Sequence, residues 1–322
     1  MNRTSAGSTP IPNLCPLVKR LAVAALLLGA PLGWAATGEV AAVTTAATGI
    51  TIAVTGDVYT PGAQPVSDAI LAHQPLDAVL LVGDTCNGSP TNPVADYQRI
   101  YKGTYGRFLD RIQPCPGNHD KLSMPPFSGY RSFWGAAAHA PEQYYSFELG
   151  SWHAVSLDSV TFRDGGPKAA AQLEWLKTDL AAHPGAPVVA YWHYPFFSRA
   201  KHCGDPKMKP LWEALSAHGP ALVFNGHNHV YERYEPLDPD GKPAAETNGI
   251  QEFVIGPGGA GPVTEESASA KGPASKLFHG GAQHVGFFTL QADGAYRFSV
   301  ESVASDGTTK VVDSGAGKLL AK

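Results

Sequence analysis

Short apolar runs that halt at a glycine and then meet an acid or an imidazole recur along this chain. Ile50 to Thr55 is β-branched and apolar and stops at Gly56-Asp57; Ala78 to Val82 repeats the design and stops at Gly83-Asp84. Runs of this length without polar alternation predict strands buried on both faces. Arg111 to Cys115, Pro187 to Trp192 and Ala221 to Phe224 read the same way. They run into Asn118-His119-Asp120, His193 and Asn225-Gly226-His227-Asn228-His229. Between the strands the apolar period lengthens. Val66 to His73 and Val94 to Arg111 predict helices, the second weakened by Gly103 and Gly106. Lys168 to His183 sets Leu173, Leu176 and Leu180 on one side with Pro184 just beyond, and Pro210 to His218 starts on proline and stops at Gly219. Gly150-Ser151 turns Tyr144–Leu149 into Trp152–Leu157, and Asp293-Gly294 joins strands at His284–Leu290 and Ala295–Val300. Both are hairpin signals. A further strand is expected at Glu252–Ile255, and 259–282, rich in Gly, Ser, Ala and Lys, reads as a long surface loop. Helices between the early strands and hairpins between the late ones predict a layered α/β domain, two sheets face to face with helices outside.

The first residues follow another rule. Lys19-Arg20 precedes an apolar run from Leu21 to Ala30, and Gly33, Ala35 and Ala36 follow as small residues. A positive region, a short apolar run and a small-residue zone describe an export signal, so residues 1–36 read as a signal peptide. The expected location is then secreted, periplasmic or extracellular, with no stable membrane span once the leader is removed, since the run is too short to cross a bilayer with confidence. Residues 37–48 read as a flexible linker, 49–304 as the main folded domain, and 305–322 as a tail with an edge strand at Thr309 to Val312. Composition narrows the partners. The 322 residues carry 24 Lys plus Arg against 28 Asp plus Glu, a net charge of −4. A mildly acidic surface offers no platform for nucleic-acid phosphates. Without Cys15 of the leader, Cys86, Cys115 and Cys203 are an odd set that cannot form a disulfide scaffold.

The strand-tip groups are Asp57, Asp84, Asn118, His119, Asp120, His193, His227 and His229. Carboxylate, amide oxygen and imidazole together suit first-row metal ions. Their number exceeds one tetrahedral site and fits two adjacent ions sharing a carboxylate. If locally extended, His227-Asn228-His229 turns both imidazoles to one side, about 6–7 Å apart at Cα.

These residues, in this order, resemble the calcineurin-like metallophosphoesterase superfamily, and within it the purple-acid-phosphatase-like branch. The matching segments are Gly56-Asp57-Val58-Tyr59, Gly83-Asp84, Gly117-Asn118-His119-Asp120, Trp192-His193 and Gly226-His227-Asn228-His229, with Asn225 to Tyr234 and the Tyr144–Asp158 hairpin as further context. The resemblance covers about residues 50–301 and implies a four-layer α-β-β-α sandwich. It implies that Asp84 bridges two metals, that Asp57 and His229 bind the first, and that Asn118, His193 and His227 bind the second. His119 then faces the substrate phosphate or leaving-group oxygen, with Asp120 as its orienting neighbour. Two departures concern the first metal. The superfamily places His two residues after the first Asp, where this chain has Tyr59; purple acid phosphatases place Tyr three residues after the bridging Asp, where it has Asn87. Tyr59 either substitutes as a phenolate, favouring iron, or only packs. The implied cofactors are two metal ions, iron with zinc, manganese or a second iron. The implied function is hydrolysis of small phosphomonoesters, acid-phosphatase-like, by in-line attack of a hydroxide held at the metal pair. A phosphodiesterase using the same centre and a non-catalytic metal-binding surface protein are the alternatives. Oligomeric state is left open. Outside the motifs, His202 is expected on a surface loop and His153 in packing.

Overall fold

In the computed structural model the described residues are 49–319, apart from Thr60, Glu246 and Thr247. The signal peptide and linker assigned to 1–48 lie outside them. Two sheets form the centre. The first has six strands in the order β13-β12-β11-β1-β2-β3: β1 is Ile50–Thr55, β2 Ala78–Val82, β3 Ile112–Cys115, β11 Gln283–Leu290, β12 Ala295–Val303 and β13 Thr309–Lys318. The second has seven, in the order β10-β8-β9-β7-β6-β5-β4: β4 is Tyr145–Leu149, β5 Trp152–Ser156, β6 Val188–Tyr191, β7 Ala221–Asn225, β8 Tyr231–Arg233, β9 Ile250–Ile255 and β10 Leu277–His279. Both are mixed. β1, β2 and β3 run parallel, as do β5, β6, β7 and β9, while β11, β12 and β13 pair antiparallel.

Alternation along the strands divides the core. Ile52, Val54, Leu80 and Val82 of one sheet and Val189, Tyr191, Leu222, Phe224 and Phe253 of the other fill the space between them. The intervening positions, Ala53, Val79 and Leu81, or Val155, Val188, Ala190 and Val223, face outward to helices. Those helices are α1 (Ala63–Ala72), α2 (Pro93–Tyr101), α3 (Ser128–Trp134), α4 (Ser159–Asp164), α5 (Gly166–Ala182) and α6 (Lys209–His218). Val66 and Ile70, Leu176 and Leu180, and Leu211, Trp212 and Leu215 are their buried contributions. This is the expected four-layer α-β-β-α sandwich. Complete burial of an apolar side chain of this size contributes roughly 1.5–3 kcal/mol, so both faces of each sheet must be covered.

The structure differs from the periodicity in three places. The helix expected over 94–111 stops at Tyr101; Lys102-Gly103 breaks it and Tyr105–Arg111 continues as 3₁₀ turns. Part of the 259–282 loop is strand, β10. The tail is strand over Thr309–Lys318, tied to β8 where Tyr231 and Arg233 both donate to Asp313 at 2.6 and 2.7 Å. Cys86, Cys115 and Cys203 are unpaired. No helix among the described residues is long and apolar enough to cross a membrane.

Candidate metal centre

Each expected ligand sits just beyond a parallel strand: Asp57 after β1, Asp84 after β2, Asn118 after β3, His193 after β6 and His227 after β7. At three of these turns the backbone is left-handed, with φ of 54° at Asp57, 47° at Asp84 and 68° at His227. For a residue with a side chain that conformation costs about 1–2 kcal/mol. Such strain persists where the surrounding structure imposes it, commonly at functional sites. Here the turns are stitched together. Asp57 N donates to Gly83 O at 3.0 Å and Val58 N to Asp84 O at 2.9 Å. His227 N donates to Asp57 Oδ2 at 3.1 Å and His119 N to Asp84 Oδ1 at 2.7 Å.

The hydrogen bonds also decide which ring nitrogens remain free. His193 Nδ1 donates to Val82 O at 3.0 Å and His229 Nδ1 to Gly261 O at 2.7 Å. Each Nε2 then presents a lone pair inward. His193 Nε2 faces Asn118 Oδ1 at 3.0 Å and Asp84 Oδ1 at 3.3 Å. His229 Nε2 faces Asp57 Oδ1 at 3.5 Å, and that buried oxygen has no hydrogen-bond partner. Converging lone pairs repel unless a cation lies among them. Without a metal, a proton takes that place. Burial lowers the basicity of His193, but the facing Asp84 carboxylate more than reverses this and leaves it at about 9. Burial by itself would raise the Asp84 carboxyl; His193 opposite it outweighs burial and holds it well below the usual range. His227 is pushed down to about 2, by burial and then by His193, so its ring is neutral and able to coordinate. Oxygens of Asp57 and Asp84 and a nitrogen of His193 lie within 4.8 Å of one another. The donor set fits two adjacent ions, with second nitrogens anchored on carbonyls as metal-binding imidazoles commonly are.

His119 lies outside this ring of donors. Its Nδ1 meets the main-chain carbonyl of Asn87 at 2.8 Å, its Nε2 is 3.9 Å from Asp84 Oδ2, and its side chain is 35% exposed. Asn87 thus contributes its carbonyl to orienting His119. Asp120 does not orient it. The Asp120 carboxylate is buried and accepts from Thr85 Oγ1 at 2.8 Å, Thr85 N at 3.1 Å, Gly117 N at 2.7 Å and the Tyr97 hydroxyl. Its part is to clamp the Asp84 turn to the Asn118 turn. Tyr59 donates its hydroxyl to Asp84 Oδ2 at 2.8 Å, and its ring stands edge-on to His119 and His229. Burial, then Asp84, hold that phenol protonated in the metal-free protein.

The family signature described as calcineurin-like phosphoesterase spans residues 50–231. The chain belongs to this family. Purple acid phosphatase 15 of Arabidopsis thaliana is 30% identical over an alignment of 234 residues that covers 59% of this chain and 43% of the plant protein. Purple acid phosphatase 18 from the same plant is 31% identical over an alignment of 185 residues that covers 51% of this chain and 41% of the plant protein. The chain therefore spans less than half the length of these relatives. Among solved structures, the yellow lupin purple acid phosphatase PPD1 aligns with a TM-score of 0.62 at 17% identity, covering 84% of this chain and 54% of that one. GAP50, the anchor in the inner membrane complex of Plasmodium, aligns at 0.61 and 14%, covering 85% and 89%. These two are likenesses of fold.

Two parts of this candidate site had no role assigned from the motifs. Asn228, between the two histidines, is fully buried. Its amide donates to Ser198 Oγ at 2.8 Å and Cys203 O at 3.1 Å, and accepts from His202 N at 3.0 Å. That brings the His202 ring to 4.8 Å from the His227 ring, beside the ligands. Glu252 accepts from Phe196 N and Glu232 from Arg199 N, at 2.9 and 2.7 Å, which fixes the loop between. Glu252, an acid opening a predicted strand, was the available signal. A cavity of about 710 Å³ beside Lys121, Phe127, Arg131 and Lys168 is larger than the opening of about 180 Å³ beside His227; donor chemistry, not volume, locates the site.

Proposed function

We propose that this chain is a metal-dependent phosphoesterase acting on small phosphomonoesters at a dinuclear centre held by Asp57, Asp84, Asn118, His193, His227 and His229. The observation that carries the reading is the convergence of His193 Nε2 and His229 Nε2 on carboxyl and amide oxygens, including the partnerless Asp57 Oδ1. Two bound ions would lower the pKa of a water and offset charge on the transferring phosphoryl group. The chain's own groups do the rest. Asp84 is aimed by the His119 N–H, which donates to its Oδ1. His119, fixed through Nδ1, keeps Nε2 at the rim to hydrogen-bond a phosphate oxygen or protonate the leaving alkoxide. A cavity of about 180 Å³ beside His227, bordered by Arg163, Tyr194 and His202, supports a compact substrate. Iron in the first position, with Tyr59 as its phenolate ligand, and zinc, manganese or iron in the second fit a donor set of hard oxygens and imidazoles. The charge and apolar pattern of residues 19–36 supports export.

Turnover of an aryl phosphate monoester and of a bis-aryl diester, by metal-loaded, chelated and Asp84→Asn protein, tests the function. Hydrolysis of the monoester only when metal and Asp84 are both present is the expected result. Preference for the diester would assign a phosphodiesterase. No turnover despite stoichiometric metal would leave a binding protein and end the enzymatic reading.

A further inference from the structure

Four polar side chains meet at the opposite end of the seven-stranded sheet. His153 of β5 lies directly across from Glu148 of β4 in the antiparallel register. Asp179 and His183, four residues apart at the end of α5, share one side of that helix. His153 is in register with Val188, and roughly 16 Å of strand separates Val188 from His193. The hydrogen bonds again settle which nitrogens face Glu148. His153 Nε2 meets Asp179 Oδ2 at 2.6 Å, and Ser146 donates to Asp179 Oδ1 at 2.7 Å. His183 Nδ1 donates to the main-chain carbonyl of Asp179 at 2.8 Å. His153 Nδ1 is left 2.9 Å from Glu148 Oε1, and His183 Nε2 3.6 Å from the same oxygen. One ligand atom from each of Glu148, His153 and His183 lies within 4.8 Å of the other two. The His153 side chain is 1% exposed, that of Glu148 55%.

We propose that this cluster is a separate, mononuclear site for a divalent transition-metal ion of the zinc type. His153 Nδ1, His183 Nε2 and Glu148 Oε1 are its ligands, and water fills the remaining position on the exposed Glu148 side, as three-residue zinc sites allow. Asp179 sets both rings: its carboxylate holds His153 Nε2 and its carbonyl holds His183 Nδ1, the outer-sphere arrangement that makes imidazole a better ligand. The C-terminal end of α5 favours positive charge at this place. Binding displaces to solvent the proton shared by His153 Nδ1 and Glu148. The two rings, stacked with centroids 3.7 Å apart, tilt apart so that both lone pairs reach one ion. The competing account, a buried imidazolium between two carboxylates, gives no role to the His183 lone pair.

The test is a count of bound Zn²⁺ per chain, by elemental analysis after equilibrium dialysis of the full protein at micromolar free Zn²⁺. Glu148→Gln and His183→Ala are each expected to bind one ion fewer than wild type, with affinity for that ion weakened at least tenfold, while aryl phosphate turnover is unchanged. Asp179→Asn is expected to weaken the same ion by about 10–100-fold. Equal counts in wild type and both ligand variants would overturn the proposal. Glu148→Gln alone decides it should His183→Ala fail to fold. The count is read whether or not the strand-tip centre hydrolyses anything, so the two proposals fail separately.

Discussion

Gly117 is the position at which geometry and stability can be separated. An ideal Cβ there would stand 2.0 Å from Asp84 N, 2.2 Å from Asp84 Oδ1 and 2.8 Å from Asp84 Cα, all closer than the 3.0 Å that real Cβ atoms keep. One of the two turns must therefore move by about 1 Å. Neither is loose, because Gly117 N and Thr85 N both donate to the Asp120 carboxylate. Forcing in the methyl costs about 1–3 kcal/mol. At roughly 2–4 °C per kcal/mol for a domain of this size, Tm falls by roughly 2–12 °C. A shift of about 1 Å at the reacting centre lowers turnover by about 100-fold. Gly103→Ala is the matched control. Its φ is 78° and no atom lies within 4 Å of the added Cβ, so it costs about 1–2 kcal/mol of backbone strain and nothing more. Aryl phosphate turnover, metal content and thermal unfolding are measured on both variants. The expected outcome is similar destabilisation, with activity and metal lost only in Gly117→Ala. Turnover and metal content in Gly117→Ala within about threefold of wild type, against the hundredfold expected, would refute the reasoning. So would an equal loss of activity in Gly103→Ala.

His119→Asn is expected to lower turnover by about 10²–10⁴-fold with bound metal unchanged, by elemental analysis of the active preparation; loss of metal would make His119 a ligand instead. Oxidised, iron-loaded protein is expected to show a visible phenolate-to-iron band that Tyr59→Phe removes, and a band surviving that substitution excludes Tyr59. Asp158 is buried, caps α4 through Thr161 N at 2.9 Å, and is pushed by burial up to about 6. A folded value above the ordinary 3.8 means its contribution is complete below that pH and is lost as pH rises through about 6, a change of about 3 kcal/mol. Asp158→Asn keeps the cap, so denaturant unfolding at acid and neutral pH should show the variant gaining on wild type as pH rises; a pH-independent difference would refute it.

The strand-tip pattern was legible because parallel strands buried on both faces write themselves as unbroken apolar runs, and the donor follows where each run stops. Asp57, Asp84, Asn118, His193, His227 and His229 could thus be collected without coordinates. What stayed hidden depends on side-chain direction or on distant partners. Asp120 adjoins His119 in the chain, yet its carboxylate turns inward to Thr85 and Gly117. His202 reads as a loop residue until Asn228 draws that loop over His227. β8 and β10 have three residues each, too few to show a period. β13 continues through Ser314, Gly315, Ala316 and Gly317, which carry no apolar signal, because it pairs with Ala295–Ser299 and the Tyr296 and Phe298 rings lie over its two glycines.

β1 occupies the middle of its sheet, between β2 and β11, and its register joins Ile50 to Leu290. The earliest strand of the domain thus waits for one of the latest. At about 5–20 residues per second of synthesis, on the order of ten to fifty seconds pass between their appearances. Throughout that interval the edge of β1 that carries Asp57 at its tip has no neighbour on one side, and the late closure makes such topologies slow to form. A chain cut short before Gln283 would keep every candidate donor and still lack the strand that closes the sheet around them.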